Sequence, residues 1–155
     1  MTKMVTEINF NFTFDTAHKG APYTIDGVHY MNAGEFKEIV AKSVNGFTAH
    51  KDANTRFDEG SDIPELNASV KSSGATLVNM KLADTFDEFV RVYFDRVHST
   101  SFIWVSVIES TATLYTMDAD EFRTFLYKFA GLNERGVVRF KKESGKMIAF
   151  LESLA

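Results

Sequence analysis

Apolar and polar residues alternate with a period of two near the start of the chain. Glu7 to Phe14 shows this alternation, which predicts a half-buried strand. Tyr23 to Tyr30 follows a turn and carries Asp26-Gly27 at its centre, a dipeptide that favours the tip of a tight hairpin. We therefore expect the chain to open with a small antiparallel unit.

Three later segments place apolar residues at helical spacing behind a residue that can cap a helix. Asn32, followed by Glu35, predicts a helix that ends near Asn45-Gly46. Either Asp84 or Thr85 is the expected N-cap of a second helix, and a third should start at 118. In the second and third helices the apolar positions share one face, which predicts that each helix packs on a core.

The remaining apolar runs predict strands. Ser69 to Val78 should form one strand, bent at its glycine, and Phe102 to Ile108 is dense enough for a central strand covered on both faces. Thr111 to Thr116 should return beside it. Val137 to Phe140 and Met147 to Leu151 are expected to form a terminal hairpin. This order predicts a mixed α/β fold, in which helices flank a central sheet.

Length and composition favour a single folded domain. The chain has 155 residues, of which 45% are hydrophobic, and it contains no cysteine. The lack of cysteine excludes disulfides, thiolate catalysis and cysteine-ligated zinc. The first residues turn polar before an apolar signal core could form, and no segment is apolar enough to span a bilayer. We therefore expect a cytoplasmic protein with no membrane partner.

Charge is distributed unevenly along the chain. The net charge is −4, which argues against a strongly electrostatic nucleic-acid binder. Two basic and five acidic residues lie between Ala49 and Val70, whereas five basic residues and one acidic residue lie between Arg135 and Lys146. An acidic segment and a basic segment are compatible with a metal site beside a phosphate-contacting surface. Ordinary surface variation would produce the same pattern.

The segment from Asp62 to Lys71 carries the most specific chemistry. Because strand residues alternate between faces, Asn67, Ser69 and Lys71 should share one side of the expected strand. An acid and a lysine converging from neighbouring strands can hold Mg²⁺ and stabilise charge on a phosphodiester under attack. Glu65 lies between them in sequence.

This arrangement resembles the PD-(D/E)xK superfamily of restriction-endonuclease-like folds, and is most similar to small type II restriction enzymes. The order of helix, acid, lysine strand, helix and apolar strand matches the superfamily core from about Asn32 to Ala130. The resemblance implies a restriction-endonuclease-like domain with an N-terminal hairpin that hydrolyses DNA with Mg²⁺. A homodimer would let the two copies contact both DNA strands.

The resemblance also implies roles for individual residues. Asp62 would be a metal ligand, Lys71 the catalytic lysine, and Glu38 or Glu35 an accessory acid. The full catalytic set would be Asp62, Glu65, Ser69, Lys71 and Glu38, of which Asp62, Glu65 and Glu38 would hold the metal. The expected DNA contacts are Lys51, Asn54, Arg56, Ser72, Ser73, Arg139, Lys141 and Lys142.

Ser69 departs from the superfamily pattern, because it stands where the second acid is expected. Glu65 could replace that acid, since it lies close in sequence. Alternatively the site is inactive, and the chain is a phage or mobile-element accessory protein that binds DNA or inhibits a host defence nuclease. Acids beside a turn are also commonly solvated or used as caps, and Glu35 has a role as a capping-box residue without any metal.

Overall fold

The computed structural model describes the backbone of residues 3–7, 12–14, 23–25, 28–30, 56–108 and 111–154, and the side chains of 56–106 and 113–154. The helix predicted after Asn32 lies outside these residues. Four residues of the predicted site also lie outside them, namely Glu35, Glu38, Lys51 and Asn54. The predictions about those residues stay predictions.

Strands β1, β5, β6 and β7 form a mixed sheet, in the order β1-β7-β6-β5. These strands are β1 (Lys3–Glu7), β5 (Ala68–Lys71), β6 (Ser101–Ile108) and β7 (Thr111–Met117). β7 pairs antiparallel with both β1 and β6, and β5 pairs parallel with β6. The predicted central strand and its returning neighbour are therefore confirmed.

Two smaller antiparallel sheets complete the described strands. They contain β2 (Phe12–Phe14), β3 (Tyr23–Ile25), β4 (Val28–Tyr30), β8 (Ala130–Leu132) and β9 (Val138–Phe140). β3 and β4 pair around the predicted Asp-Gly tip, so the early hairpin is confirmed. Of the strand predicted from Glu7 to Phe14, Glu7 belongs to β1 and Phe12–Phe14 form β2, in different sheets, and residues 8–11 lie outside the described residues.

Local capping defines the starts of three helices, α1 (Phe86–Arg96), α2 (Ala119–Phe129) and α3 (Gly145–Ser153). The hydroxyl of Thr85 accepts from the Glu88 N–H, which makes Thr85 the cap of α1. Asp118 and Glu121 form a complete capping box at α2. Both predicted caps are confirmed. None of the described helices is long and apolar enough to cross a membrane.

Aromatic residues pack the face of the main sheet that the helices cover. Phe102 of β6 stacks on Phe122 of α2 with ring centroids 4.3 Å apart, and Trp104 packs on Phe125. On the opposite face Val105 is also fully buried. Because β6 is buried on both faces and lies between two strands, it forms a rigid support for β5, where the candidate site begins.

Another predicted strand is confirmed only at its start, since β5 includes Ser69 to Lys71. The strand expected from Ser69 to Val78 ends at Lys71, because a turn closed by a hydrogen bond from Ala75 N to the Ser72 carbonyl follows it. Gly74 adopts a φ of +74°, a left-handed conformation that glycine tolerates. Beyond this turn, the described pairing is a single bridge between Thr76 and Arg139.

The predicted terminal hairpin is wrong, although its first strand, Val137 to Phe140, is confirmed as β9. β9 pairs with β8 instead, and the segment from Met147 to Leu151 lies within α3. The hydroxyl of Ser144 caps this helix by accepting from Met147 N. Met147 and Leu151 are four residues apart and both buried, so a helix places them on the same core-facing side. A strand would place them there too, which is why the short pattern was ambiguous.

Candidate functional site

A cavity of about 260 Å³ opens beside the C-terminal end of β5. It brings together Asp62, Ser69 and Lys71, three of the residues that the sequence singled out. Its other lining residues are Arg56, Phe57, Gly60, Leu77, Val78, Asn79 and Met80. We call this space the Asp62 cavity. Its mixed lining offers one carboxylate, two cationic side chains and several polar groups to a ligand.

A very tight hairpin places Asp62 beside the lysine strand. Ile63 and Ala68 exchange two backbone hydrogen bonds, of 3.0 and 3.2 Å, around a 3-10 turn at Pro64–Leu66. Asn67 closes the turn in the left-handed conformation, at a φ of 48°, which asparagine tolerates better than most residues. The hairpin returns the chain so that Oδ2 of Asp62 accepts a 2.8 Å hydrogen bond from Val70 N–H.

Glu65 does not join this site. It lies on the 3-10 turn, where it is exposed, and it is not among the residues that line the Asp62 cavity. The structure therefore gives no support to the idea that Glu65 replaces the second acid.

Lys71 is held at the cavity by a backbone acceptor. Its Nζ donates a 3.0 Å hydrogen bond to the carbonyl oxygen of Leu77, and its side chain is half-buried. Leu77 N in turn donates to the Val138 carbonyl at 2.8 Å, which fixes this part of the loop to β9. The ammonium group therefore occupies a defined position rather than extending into solvent.

Ser69 is buried and belongs to a chain of hydroxyl groups. It is 6% exposed, and its Oγ lies 2.7 Å from Oγ of Ser99. Ser99 lies 2.8 Å from Ser61, and Ser61 donates to Oδ1 of Asn67 at 2.5 Å. The second-acid position is thus occupied by a neutral hydroxyl with a fixed partner.

Three charged residues anchor the segment that precedes the hairpin. Asp58 accepts a 2.7 Å hydrogen bond from Arg96 of α1, and Arg56 approaches it at 2.9 Å as an ion pair without hydrogen-bond alignment. The hydrogen bond from Arg96 lowers the pKa of the Asp58 carboxyl. Since Arg56 also lines the Asp62 cavity, its guanidinium contributes positive charge to the wall of the site.

A buried phenol lies close to the acid. Tyr93 is fully buried, its ring stacks on Phe57 at 5.4 Å, and its hydroxyl has no hydrogen-bond partner in the described part of the chain. Burial, with a further contribution from the negative charge of Asp62, raises the pKa of Tyr93 above its ordinary range. The phenol therefore stays protonated and remains a hydrogen-bond donor.

The carboxylate set of the site is small. Asp62 is the one carboxylate among the described residues that line the cavity, and those residues contain no cluster of three acidic, histidine or cysteine side chains. Mg²⁺ keeps several waters and is commonly held by one or two carboxylates together with substrate phosphates. Asp62 fits that mode of binding, in which the substrate supplies the remaining negative charge.

The residues predicted to contact DNA differ in accessibility. Ser72 is 2% exposed, so direct contact with DNA would require its loop to move. Ser73 accepts a 2.8 Å hydrogen bond from Glu143 N, which ties the end of the lysine strand to the basic segment. Arg139, Lys141 and Lys142 are exposed, as the prediction requires.

Sequence reasoning missed the hydroxyl groups behind Ser69. Ser99 lies two residues before β6 and meets Ser69 because β5 and β6 pair in parallel, with Ser69 opposite Phe102. That pairing joins residues about 30 positions apart, and no local pattern signals it. Asn67 carried a signal, since asparagine after a proline turn favours a left-handed residue.

Comparison with protein-family models, with curated protein sequences and with solved structures gave no significant match. The geometry of the Asp62 cavity is therefore the basis on which a function can be proposed for this chain.

Proposed function

We propose that the chain is a metal-dependent DNA endonuclease of the PD-(D/E)xK type, with the Asp62 cavity as its active site. One observation carries the proposal, namely that Asp62 and Lys71 line the same cavity at the end of one strand. Their side chains come from the two arms of a single tight hairpin. The proposal requires an acid and a lysine within reach of one phosphodiester, and this geometry supplies both.

The elements around the cavity add support. β5, α1 and β6 follow one another in sequence, and β5 and β6 lie side by side in parallel. This is the order of lysine strand, helix and apolar strand on which the resemblance to restriction-endonuclease-like folds was based. Ligands of α/β proteins commonly bind near the carboxyl ends of parallel strands, where Lys71 ends β5.

Mg²⁺ is the proposed cofactor, and when bound it would lower the pKa of an attacking water and neutralise charge on the phosphate. Asp62 would hold it. The hydrogen bond from Val70 N–H to Oδ2 of Asp62 fixes the orientation of the carboxylate that would hold the ion. Glu38, outside the described residues, is the proposed accessory acid.

The cationic residues have separate roles in this proposal. Lys71, held by the Leu77 carbonyl, stabilises the negative charge that develops on the phosphodiester during hydrolysis. Arg56 attracts the DNA backbone to the cavity, since a guanidinium matches the geometry of a phosphate. Asp58 holds Arg56 through an ion pair of 2.9 Å.

The direct test is cleavage of mixed plasmid and linear DNA by the purified protein with Mg²⁺ or Mn²⁺. We expect cleavage by the wild type, loss of about 100-fold or more in Lys71→Ala, and wild-type activity in Lys128→Ala. Lys128 is an exposed lysine on α2 and serves as a matched control. Absence of cleavage, or equal cleavage by wild type and Lys71→Ala, would contradict the proposal.

A second candidate is a non-catalytic protein that binds DNA or a host nuclease. The observation that favours it is Ser69, a neutral residue at the second-acid position, together with the outward location of Glu65. Calorimetry discriminates the two candidates. A catalytic site should give a Mg²⁺ response that Asp62→Asn abolishes, whereas an inactive binding protein should give none.

A further inference from the structure

The hydrogen bonds behind Ser69 have a defined direction, and Asn67 sets it. Nδ2 of Asn67 donates to the carbonyl oxygen of His98 and to Oγ1 of Thr100, each at 3.3 Å. A carbonyl can only accept, so this contact identifies the nitrogen side of the amide. Oδ1 therefore faces Ser61, and the Ser61 hydroxyl must donate to it.

The direction then passes from one hydroxyl to the next. A serine hydroxyl has one proton, and Ser61 uses that proton on Asn67. Ser61 must accordingly accept from Ser99, and Ser99, with its own proton committed, must accept from Ser69. The proton of Ser69 therefore points away from the Asp62 cavity. What Ser69 offers to the cavity is an oxygen lone pair.

We propose that Asn67, Ser61 and Ser99 are positioning residues that make the Ser69 hydroxyl a fixed hydrogen-bond acceptor for a water in the Asp62 cavity. Ser69 would thereby replace the second carboxylate with a neutral oxygen. This inference rests on the proposed nuclease function, and it assigns roles to three residues to which the resemblance gives none.

Two physical effects favour a hydrogen-bonded serine at this position. Hydrogen bonds aligned head to tail polarise one another, so each donor in the chain strengthens the next bond. A carboxylate at a position only 6% exposed would also need a bound cation to offset its desolvation, whereas a hydroxyl needs none. Ser69, held by its hydrogen bond to Ser99, thus supplies an acceptor that is in place before any metal or DNA binds.

We call the hydrogen-bonded chain of Asn67, Ser61, Ser99 and Ser69 the relay. The alternative is that the relay only fastens the hairpin to the start of β6. Variants that differ in one hydroxyl separate the two roles. Ser99→Ala removes the acceptor of Ser69 and frees the Ser69 proton to turn into the cavity. Ser106→Ala is the matched control, because Ser106 is buried to 3% exposure and donates to Glu143 outside the relay. Ser99→Thr keeps the hydroxyl.

Mn²⁺ affinity, measured from the free-ion signal in electron paramagnetic resonance, is the first readout. Loss of a group that supports a metal site from outside its ligands commonly weakens binding by about 10- to 100-fold. We expect that loss in Ser69→Ala and in Ser99→Ala, and no further loss in the double variant, since Ser99 acts through Ser69. Ser99→Thr and Ser106→Ala should bind as the wild type does.

The unchanged protein gives a second readout, which does not depend on how the variants fold. In nuclear magnetic resonance spectra, the Ser69 hydroxyl proton should exchange slowly and show a contact to the β protons of Ser99. A Ser69 proton that exchanges at the rate of an exposed hydroxyl would overturn the relay. The relay would also be overturned if the wild type bound no Mn²⁺, or if Ser99→Ala bound Mn²⁺ as tightly as the wild type does.

Cleavage assays on the same variants separate this inference from the proposed function. If the Mn²⁺ pattern holds but the wild type cuts no DNA, the relay stands and the endonuclease proposal fails. If the wild type cuts DNA and Ser99→Ala cuts equally well, the endonuclease proposal stands and the relay is wrong.

Discussion

The carboxylate of Asp62 accepts a 2.8 Å hydrogen bond from the backbone N–H of Val70, which joins the acid directly to the lysine strand. β5 is an edge strand of the described sheet, and this bond occupies part of its open edge. One contact thus fixes the acid and satisfies a backbone donor. The two roles, electrostatic and structural, can be separated by substitution.

Asp62→Asn is expected to remove the charge and keep the hydrogen bond, because an amide oxygen can accept from Val70 N–H. We expect DNA cleavage to fall by about 100-fold or more, since the proposed metal ligand is lost. The free energy of unfolding should change by less than about 1 kcal/mol. Cleavage kinetics and urea denaturation measure the two effects, and retained cleavage would remove Asp62 from the site.

Ser69→Asp would restore an acid at the second-acid position. With Mn²⁺ present, we expect affinity about tenfold higher than in the wild type, because two carboxylates would then share the cation. Without metal, the buried charge should lower the free energy of unfolding. Metal titration and thermal unfolding with and without Mn²⁺ test both effects. Unchanged Mn²⁺ affinity would favour the non-catalytic candidate.

The parts of the fold that the sequence predicted are those specified by neighbouring residues. Thr85 and Asp118 cap their helices through bonds to residues three positions away, so the signal is local. β6 was predicted because burial on both faces requires an uninterrupted apolar run. Mixed α/β organisation follows from elements of this kind.

The errors lie where distant segments decide the outcome. β9 pairs with β8 rather than with the segment after Ser144, and no short sequence pattern indicates which of these segments β9 pairs with. The same limit applies to the candidate site. Asp62 and Lys71 were predicted to meet because a hairpin joins them, whereas Ser99 reaches Ser69 only through the parallel pairing of β5 with β6.

Glu143 joins the core to the segment before α3. Its carboxylate accepts from Trp104 Nε1 at 3.0 Å and from Ser106 Oγ at 2.8 Å. Glu143→Ala leaves two buried donors without these acceptors, at about 1–3 kcal/mol each. We expect a loss of at least about 2 kcal/mol in the free energy of unfolding by urea denaturation. Glu134→Ala, at an exposed position, should change it little.

Asp58 should make stability depend on acid pH. The hydrogen bond from Arg96 lowers its pKa in the folded state below the ordinary value of 3.8. The unfolded state then binds the proton more readily, so the stabilisation is complete above about pH 5 and is lost as pH falls through the folded pKa. Asp58→Asn should be less stable than the wild type at neutral pH, and this difference should shrink on acidification.

Thermal unfolding from neutral to acid pH measures that difference. Glu59→Gln is the matched control, because Glu59 is the neighbouring carboxylate and is exposed. Comparison with this variant separates the pairing with Arg96 from the loss of one negative charge. A constant difference in Asp58→Asn would show that the pairing with Arg96 contributes no pH-dependent stability.

The basic segment after β9 provides a separate test of DNA binding. Lys141 and Lys142 are both exposed, and Ser73 ties the adjoining Glu143 backbone to the end of the lysine strand. If both lysines contact phosphates, reversing their charge should weaken DNA binding. It should also reduce the slope of log affinity against log salt by about 0.9 for each lost contact.

Fluorescence anisotropy of a labelled duplex between about 50 and 200 mM salt measures that slope. The control reverses Arg123 and Lys128, two exposed cations on α2, and so changes the net charge by the same amount. If the two double variants change the slope equally, the change is caused by the net charge of the protein. If the slope is reduced only in Lys141→Glu/Lys142→Glu, the DNA backbone lies along this segment. Counterions are released only where the protein contacts phosphates.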